Sequence, residues 1–234
     1  MTNDSWRRRL VEGAVIVASI LLAFAIDAAW DSRREQERRD ALLSALAREM
    51  ALATTERDRV AQYHANGRDA SAALLGLDAG ERDVTRVDSL LREAYNSTAT
   101  FDASSGALSG LLYSSDLDLI DDEELLLELT SYPGLVANLN REQGYLVEVG
   151  FRMLDYLSAE GVDVSLLNEP SGEQLPSVPW PLGPTRAHAI VGDPGFRSLL
   201  SEIWWRYRNC LSALDELRMS IDRIRMLIEP VPAP

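Results

Sequence analysis

The clearest alternation of apolar and polar positions lies near the end of the chain. Asp193-Pro194 reads as an N-cap followed by proline at the first helical position. From there Phe196, Leu200, Ile203, Tyr207, Cys210, Leu214, Leu217, Ile221, Ile224 and Ile228 recur at alternating spacings of four and three, until Pro230-Val231-Pro232. Ten positions in one heptad register predict a long helix whose seam is buried against other helices. A second pattern is apolar all round: residues 10–30 read LVEGAVIVASILLAFAIDAAW, with no charge from Gly13 to Ile26. At 1.5 Å per residue the 18 residues from Gly13 to Trp30 cover about 27 Å, close to the roughly 30 Å hydrocarbon core of a bilayer. Glu12 and Asp27 fall near the two interfaces and Trp6 and Trp30 flank the run, so the segment predicts one transmembrane helix.

The same residues admit a second reading, a secretory signal with Arg7, Arg8 and Arg9 as its basic start and Ala23-Phe24-Ala25 as a cleavage site. The anchor is favoured because the helical pattern runs on past Trp30 without a turn residue. Arginine triplet first, acidic domain after predicts a cytoplasmic N-terminus of residues 1–9 and a periplasmic bulk, residues 31–234, in a bacterial inner membrane. Ala14 and Ala18, Ser19 and Ala23, and Ala25 and Ala29 are each four apart, a spacing that lets another helix approach closely. Asp27 either faces protein or water at membrane depth or snorkels to the interface. The expected interface within the membrane is therefore Ala14, Ala18, Ser19, Ala23 and Asp27. The span holds no His or Cys, so it offers no imidazole or thiolate to haem or chlorophyll.

The remaining pattern predicts an all-α, antiparallel bundle. The span continues into a long helix from about Arg7 that ends near Asn66-Gly67, with Leu43, Leu46, Met50, Ala53 and Val60 on one stripe. A second helix covers Val84 to Tyr95. A third starts at an Asp121-Asp122 cap, and Tyr132-Pro133-Gly134 separates it from a fourth over Leu135 to Ala159. The C-terminal helix is expected to pack on the long N-terminal one. Residues 169–184 hold five of the ten prolines and read as a loop, with Trp180 in its middle.

Composition narrows the chemistry. All 23 basic residues are Arg, which removes P-loop, Schiff-base and kinase-type lysines. A net charge of −14 argues against nucleic acid as a partner. The acidity is distal, because residues 101–234 carry 9 Arg and 21 acids. Asp116 to Glu124 contains six carboxylates, but Ile120, Asp121 and Leu127 occupy the fifth, sixth and twelfth places where an EF-hand loop needs an acid, Gly and Glu. An acid-rich helix start is the better account. Gly106-Ala107-Leu108-Ser109-Gly110 lacks the order of a nucleophile elbow and reads as a small-residue linker. His64 and His188 have no metal-ligand spacing, and Cys210 falls on the heptad seam as a small hydrophobe. Trp205 lies off that seam. With Trp180 it makes either a partner-contact patch or the site that the proline-rich loop covers.

Glu12, the run Val15 to Ala25, Ile26, Trp30 and Arg34 resemble the anchor of a family of uncharacterised bacterial single-span membrane proteins. The segment Leu112 to Tyr132, with Ser115, Leu119-Ile120, Leu125, Leu129 and Tyr132, is similar to a pattern in the same family, with Asp116 and Ser19 standing where the family has Gly. The resemblance implies a bitopic, all-helical protein and supplies no catalytic residues. The expected function is non-enzymatic and without cofactor or metal: an accessory or structural subunit of a larger membrane complex, with photosynthetic and respiratory assemblies as candidates. The alternative is a membrane-anchored sensor or ligand-binding module.

Overall fold

A computed structural model describes residues 3–228 apart from 79, 81–82, 97, 163 and 165–188, and leaves out the side chains of residues 3–16, 18 and 115. The described residues form helices and no strand. In chain order these are α1 (Asn3–Leu75), α2 (Val84–Asn96), α3 (Gly106–Leu112), a 3-10 turn (Ser115–Leu119), α4 (Glu123–Ala159) and α5 (Pro194–Ile228).

The C-terminal seam is the axis of the bundle. Of its ten positions, Phe196 through Ile224 are buried and Ile228 is half-buried. Both α1 and α4 pack along it. Pairings fix the directions. Arg57 Nε donates to the Leu214 carbonyl and Arg197 to the carbonyls of Leu75 and Leu77, so α5 runs antiparallel to α1. Arg152 meets Glu202, Asn209 meets Glu142 and Ser220 meets Glu128, so α5 is antiparallel to α4 as well. It follows that α1 and α4 run parallel on two flanks of α5. The chain between α2 and α4 fills the groove that remains: Leu108 and Leu111 are buried, and the Phe101 N–H donates to Gln143 of α4.

Three element boundaries differ from those the pattern predicts, each for a packing reason. Helix α1 continues through Asn66-Gly67 to Leu75, because Gly67 is not a stop but the place where the Tyr207 ring lies against the α1 backbone. The third and fourth expected helices are one. Pro133 sits exposed inside α4, so it forfeits its own hydrogen bond while Leu125, Leu129, Tyr132 and Leu139 remain buried on the other side. The expected linker at Gly106–Gly110 is α3. Its first turn is held by a residue 58 positions away, since the Glu49 carboxylate accepts from Ala107 N (2.7 Å) and Leu108 N (3.3 Å). The acid-rich segment does serve as a helix start, with Asp122 accepting from the Glu124 and Leu125 amides.

The interior divides into two apolar clusters. One joins the last turns of α1 to α2, the second half of α4 and the first half of α5; the other joins Leu46 to Val60 of α1 with α3, the first half of α4 and the second half of α5. A polar layer lies between them. Gln143 contacts His64 (3.2 Å), donates to the Ala99 carbonyl and accepts from the Phe101 N–H, and the His64 ring tilts against Tyr207. The Tyr207 hydroxyl donates to the Ala94 carbonyl, which ties α5 to α2. Every large polar group of this layer therefore spans two elements.

Candidate membrane and partner surfaces

Helix α1 enters the bundle only at its middle. Among the described residues of α1 Leu46 is the first to be buried, and residues 19–38 are all exposed. At 1.5 Å per residue this bare segment is about 30 Å long. Its apolar side chains are large: Leu21, Leu22, Phe24 and Trp30 are each more than 60% exposed, and Ile20 and Ile26 about half. Beyond Trp30 the composition changes at once to Asp31, Arg33, Arg34, Glu35, Glu37, Arg38 and Asp40, a charged neck that carries the helix up to the bundle. Among the described residues no helix is long and apolar enough to cross a membrane. The side chains of residues 10–16 and 18, part of the expected 10–30 span, lie outside them.

Five residues of α1, Ala14, Ala18, Ser19, Ala23 and Asp27, are expected to form one interface within the membrane. Ser19, Ala23 and Asp27 form a row of their own, and all three are exposed. The Ala14 and Ala18 side chains are not among those described. Asp27 belongs to a shallow concavity with Ile26, Trp30, Asp31 and Arg34, all from the same helix.

The second expected surface is half visible. Trp205 is 54% exposed on the outer face of α5 and meets Trp204 edge to face, with ring centroids 5.4 Å apart. The Arg208 guanidinium lies 4.8 Å from the Trp205 centroid and 5.1 Å from that of Trp204. This cation–π cluster keeps both indoles fixed on the surface. Trp180 and the loop at 169–184 lie outside the described residues. The two candidate surfaces are far apart. Tyr207 sits opposite Gly67, which is 37 residues beyond Trp30, so Trp205 stands about 55 Å along α1 from the end of the apolar segment.

The chemistry-bearing residues elsewhere have structural partners. Cys210 is buried, and desolvation pushes its thiol up to about 12. His64 belongs to the polar layer, while His188 lies outside the described residues. Asp121 pairs with Arg39 and Glu124 with Arg223, so two of the clustered acids hold the start of α4 to α1 and α5. Among the described residues no group of three or more His, Cys, Asp or Glu is placed to hold a metal ion. The polar residues that organise the interior, Glu49 and Gln143, carry no sequence signal, because each is a lone side chain whose partners are distant in sequence. No family model, curated protein or solved structure matches the chain.

Proposed function

We propose that this chain is a non-enzymatic, single-pass membrane protein that serves as an accessory or structural subunit of a larger membrane complex. Residues 10–30 cross a bacterial inner membrane with the N-terminus in the cytoplasm, and the helical bundle stands in the periplasm. One observation carries the reading: a helix segment rich in Ile, Leu, Phe and Trp leaves the bundle with its apolar side chains uncovered on every side. Soluble monomers rarely expose a contiguous apolar patch beyond a few hundred Å². Lipid and a neighbouring helix together account for that surface, and the abrupt change to a charged neck after Trp30 marks the interface. Photosynthetic and respiratory assemblies are the candidate complexes, and partners are other membrane proteins rather than nucleic acid.

The test begins with native membranes washed in alkaline carbonate. The chain should stay with the lipid, and in mild detergent it should migrate well above its own mass on a native gel. Leu21→Arg should release it into the wash and leave the melting temperature of the bundle unchanged, because Leu21 touches none of the core. Migration at monomer mass would overturn the accessory-subunit reading.

A further inference from the structure

The side of α1 that α5 covers does not end where α5 ends. Within the bundle the row is Leu43, Leu46, Met50, Ala53, Arg57, Val60, His64, Gly67, Ser71 and Leu74, at alternating spacings of three and four. Carried down the helix at the same spacings, it meets Arg39, Gln36, Ser32, Ala29, Ala25 and Leu22. A straight helix drifts about 20° per heptad from such a register, so after three heptads the row is still on the side that faces α5. From Leu22 to Gln36 it is exposed.

The lower limit of α5 on this row is set by its pairing. Tyr207 lies opposite Gly67, and 21 residues further along α5 Ile228 comes level with Leu46, both joining one apolar cluster with Leu42 and Leu43. We infer that, below this point, the same side of α1 seats one transmembrane helix of a different polypeptide, and that this helix ends beneath the C-terminal turn of α5. The inference rests on the membrane-anchor reading above.

Continuity with the α1–α5 seam supports the site, and three features choose the occupant. The row below the bundle is built of short side chains at Ala25, Ala29 and Ser32, which let a helix backbone come close. A second copy of this chain does not fit. Its α1, running parallel from the same side of the membrane, would meet α5 as soon as it reached Leu43, where the row is already filled. In such a pair Glu35 and Asp40 would also face each other across the helices, a like-charge contact. The occupant is therefore another chain, with a helix that stops or turns within 13 residues of the level of Trp30, about 20 Å. The top of the row supplies the last feature. Arg39 there is held by Asp121, 74% exposed at the end of the bundle, with Asp116, Asp118 and Glu123 exposed nearby in sequence. An end bearing Arg or Lys complements that acidic rim.

The test is site-specific photo-crosslinking of the full chain in its native membranes, with benzoylphenylalanine placed at Ala25, Ala29 or Ser32 and, on the opposite side, at Ile20 or Ala23. The row positions should give an adduct with one distinct polypeptide at several times the yield of the opposite positions. The crosslinked peptide should lie in an apolar segment that ends within about 13 residues and carries Arg or Lys there. An adduct at twice this chain's own mass, equal yields from both sides, or no adduct from a chain still held in carbonate-washed membranes would each overturn the inference. Release of the unsubstituted chain by carbonate would instead overturn the anchor on which it rests.

Discussion

A β-carbon on Gly67 would stand 2.3 Å from the Tyr207 ring, so α1 and α5 meet at this level only because residue 67 has no side chain. The ring cannot retreat: Tyr207 is fully buried and its hydroxyl is fixed on the Ala94 carbonyl. Gly67→Ala brings two opposed effects. The helix gains about 1 kcal/mol from the better helix former, and the seam loses about 1–3 kcal/mol from overpacking. The expected outcome is a net fall in melting temperature of a few degrees, measured by circular dichroism. In a Tyr207→Leu background the same substitution should cost less, because the atoms it strikes are gone.

The middle of the α5 seam should be the most sensitive part of the fold. Leu214 is fully buried between neighbours that are also buried, and Leu214→Ala should cost about 2–5 kcal/mol. Arg218, close by on the same helix, is half-exposed and makes a long contact with Asp215 at 3.8 Å. Arg218→Ala should shift the melting temperature by little more than the error of the measurement. A chain ending at Gly192 should lose its cooperative transition, since both α1 and α4 depend on α5 for their cover.

Gln143 links α4 to the chain that enters α3. Gln143→Leu keeps the volume but strands the Phe101 N–H and the Ala99 carbonyl in the interior. The expected loss is about 1–3 kcal/mol. Hydrogen exchange should localise it, with protection falling first across residues 98–112 while the α5 seam keeps its own.

Stability should decline on the alkaline side. Burial, with Glu49 adding to it, pushes Tyr132 up to about 12, and burial together with Glu142 raises Cys210 to about 12. Desolvation also drives Tyr207 upward. Unfolded, these groups ionise at their ordinary values of 9.0 for the thiol and 10.0 for the phenols. Their raised folded-state values mean that their contribution is complete below about pH 9 and is lost as pH climbs toward the folded values. The melting temperature should be level from pH 7 to about 9 and fall beyond it, and Cys210→Ala should make the first part of that fall shallower. A level curve to pH 11 would contradict this account.

Topology provides a further check. Protease added outside spheroplasts should digest the bundle beyond Trp30, in keeping with a periplasmic domain. Protection until lysis would reverse the orientation.

The α5 seam was legible in the sequence because each of its ten positions is a large or medium apolar residue in one register. The second half of α1 keeps the same register with Arg57, His64, Gly67 and Ser71 in its seam positions, so its apolar stripe fades after Val60 although the helix does not. Gly67 then reads as a stop, whereas its lack of a side chain serves a ring from α5. Pro133 misleads for the opposite reason: a local signal for a break is outweighed by the buried Leu125, Leu129, Tyr132 and Leu139 around it. Helix α3 was invisible because its first turn depends on Glu49, a partner that only the folded chain brings near. Trp205 lies off the heptad seam, and its exposure could be read from that register. Which side of α1 each small residue occupies required the helix register over its full length.

The unbroken course of α1 gives the molecule a lever. From Trp30 to Leu75 the helix extends over 45 residues, about 68 Å, and α5 and α4 brace its distal part like splints. If residues 10–30 cross a bilayer as proposed, a tilt of about 10° at Trp30, well within the range that helices adopt as bilayer thickness changes, would swing the far end of the bundle through about 12 Å. Bilayer thickness would thereby set how far Trp205 leans toward whatever stands beside it.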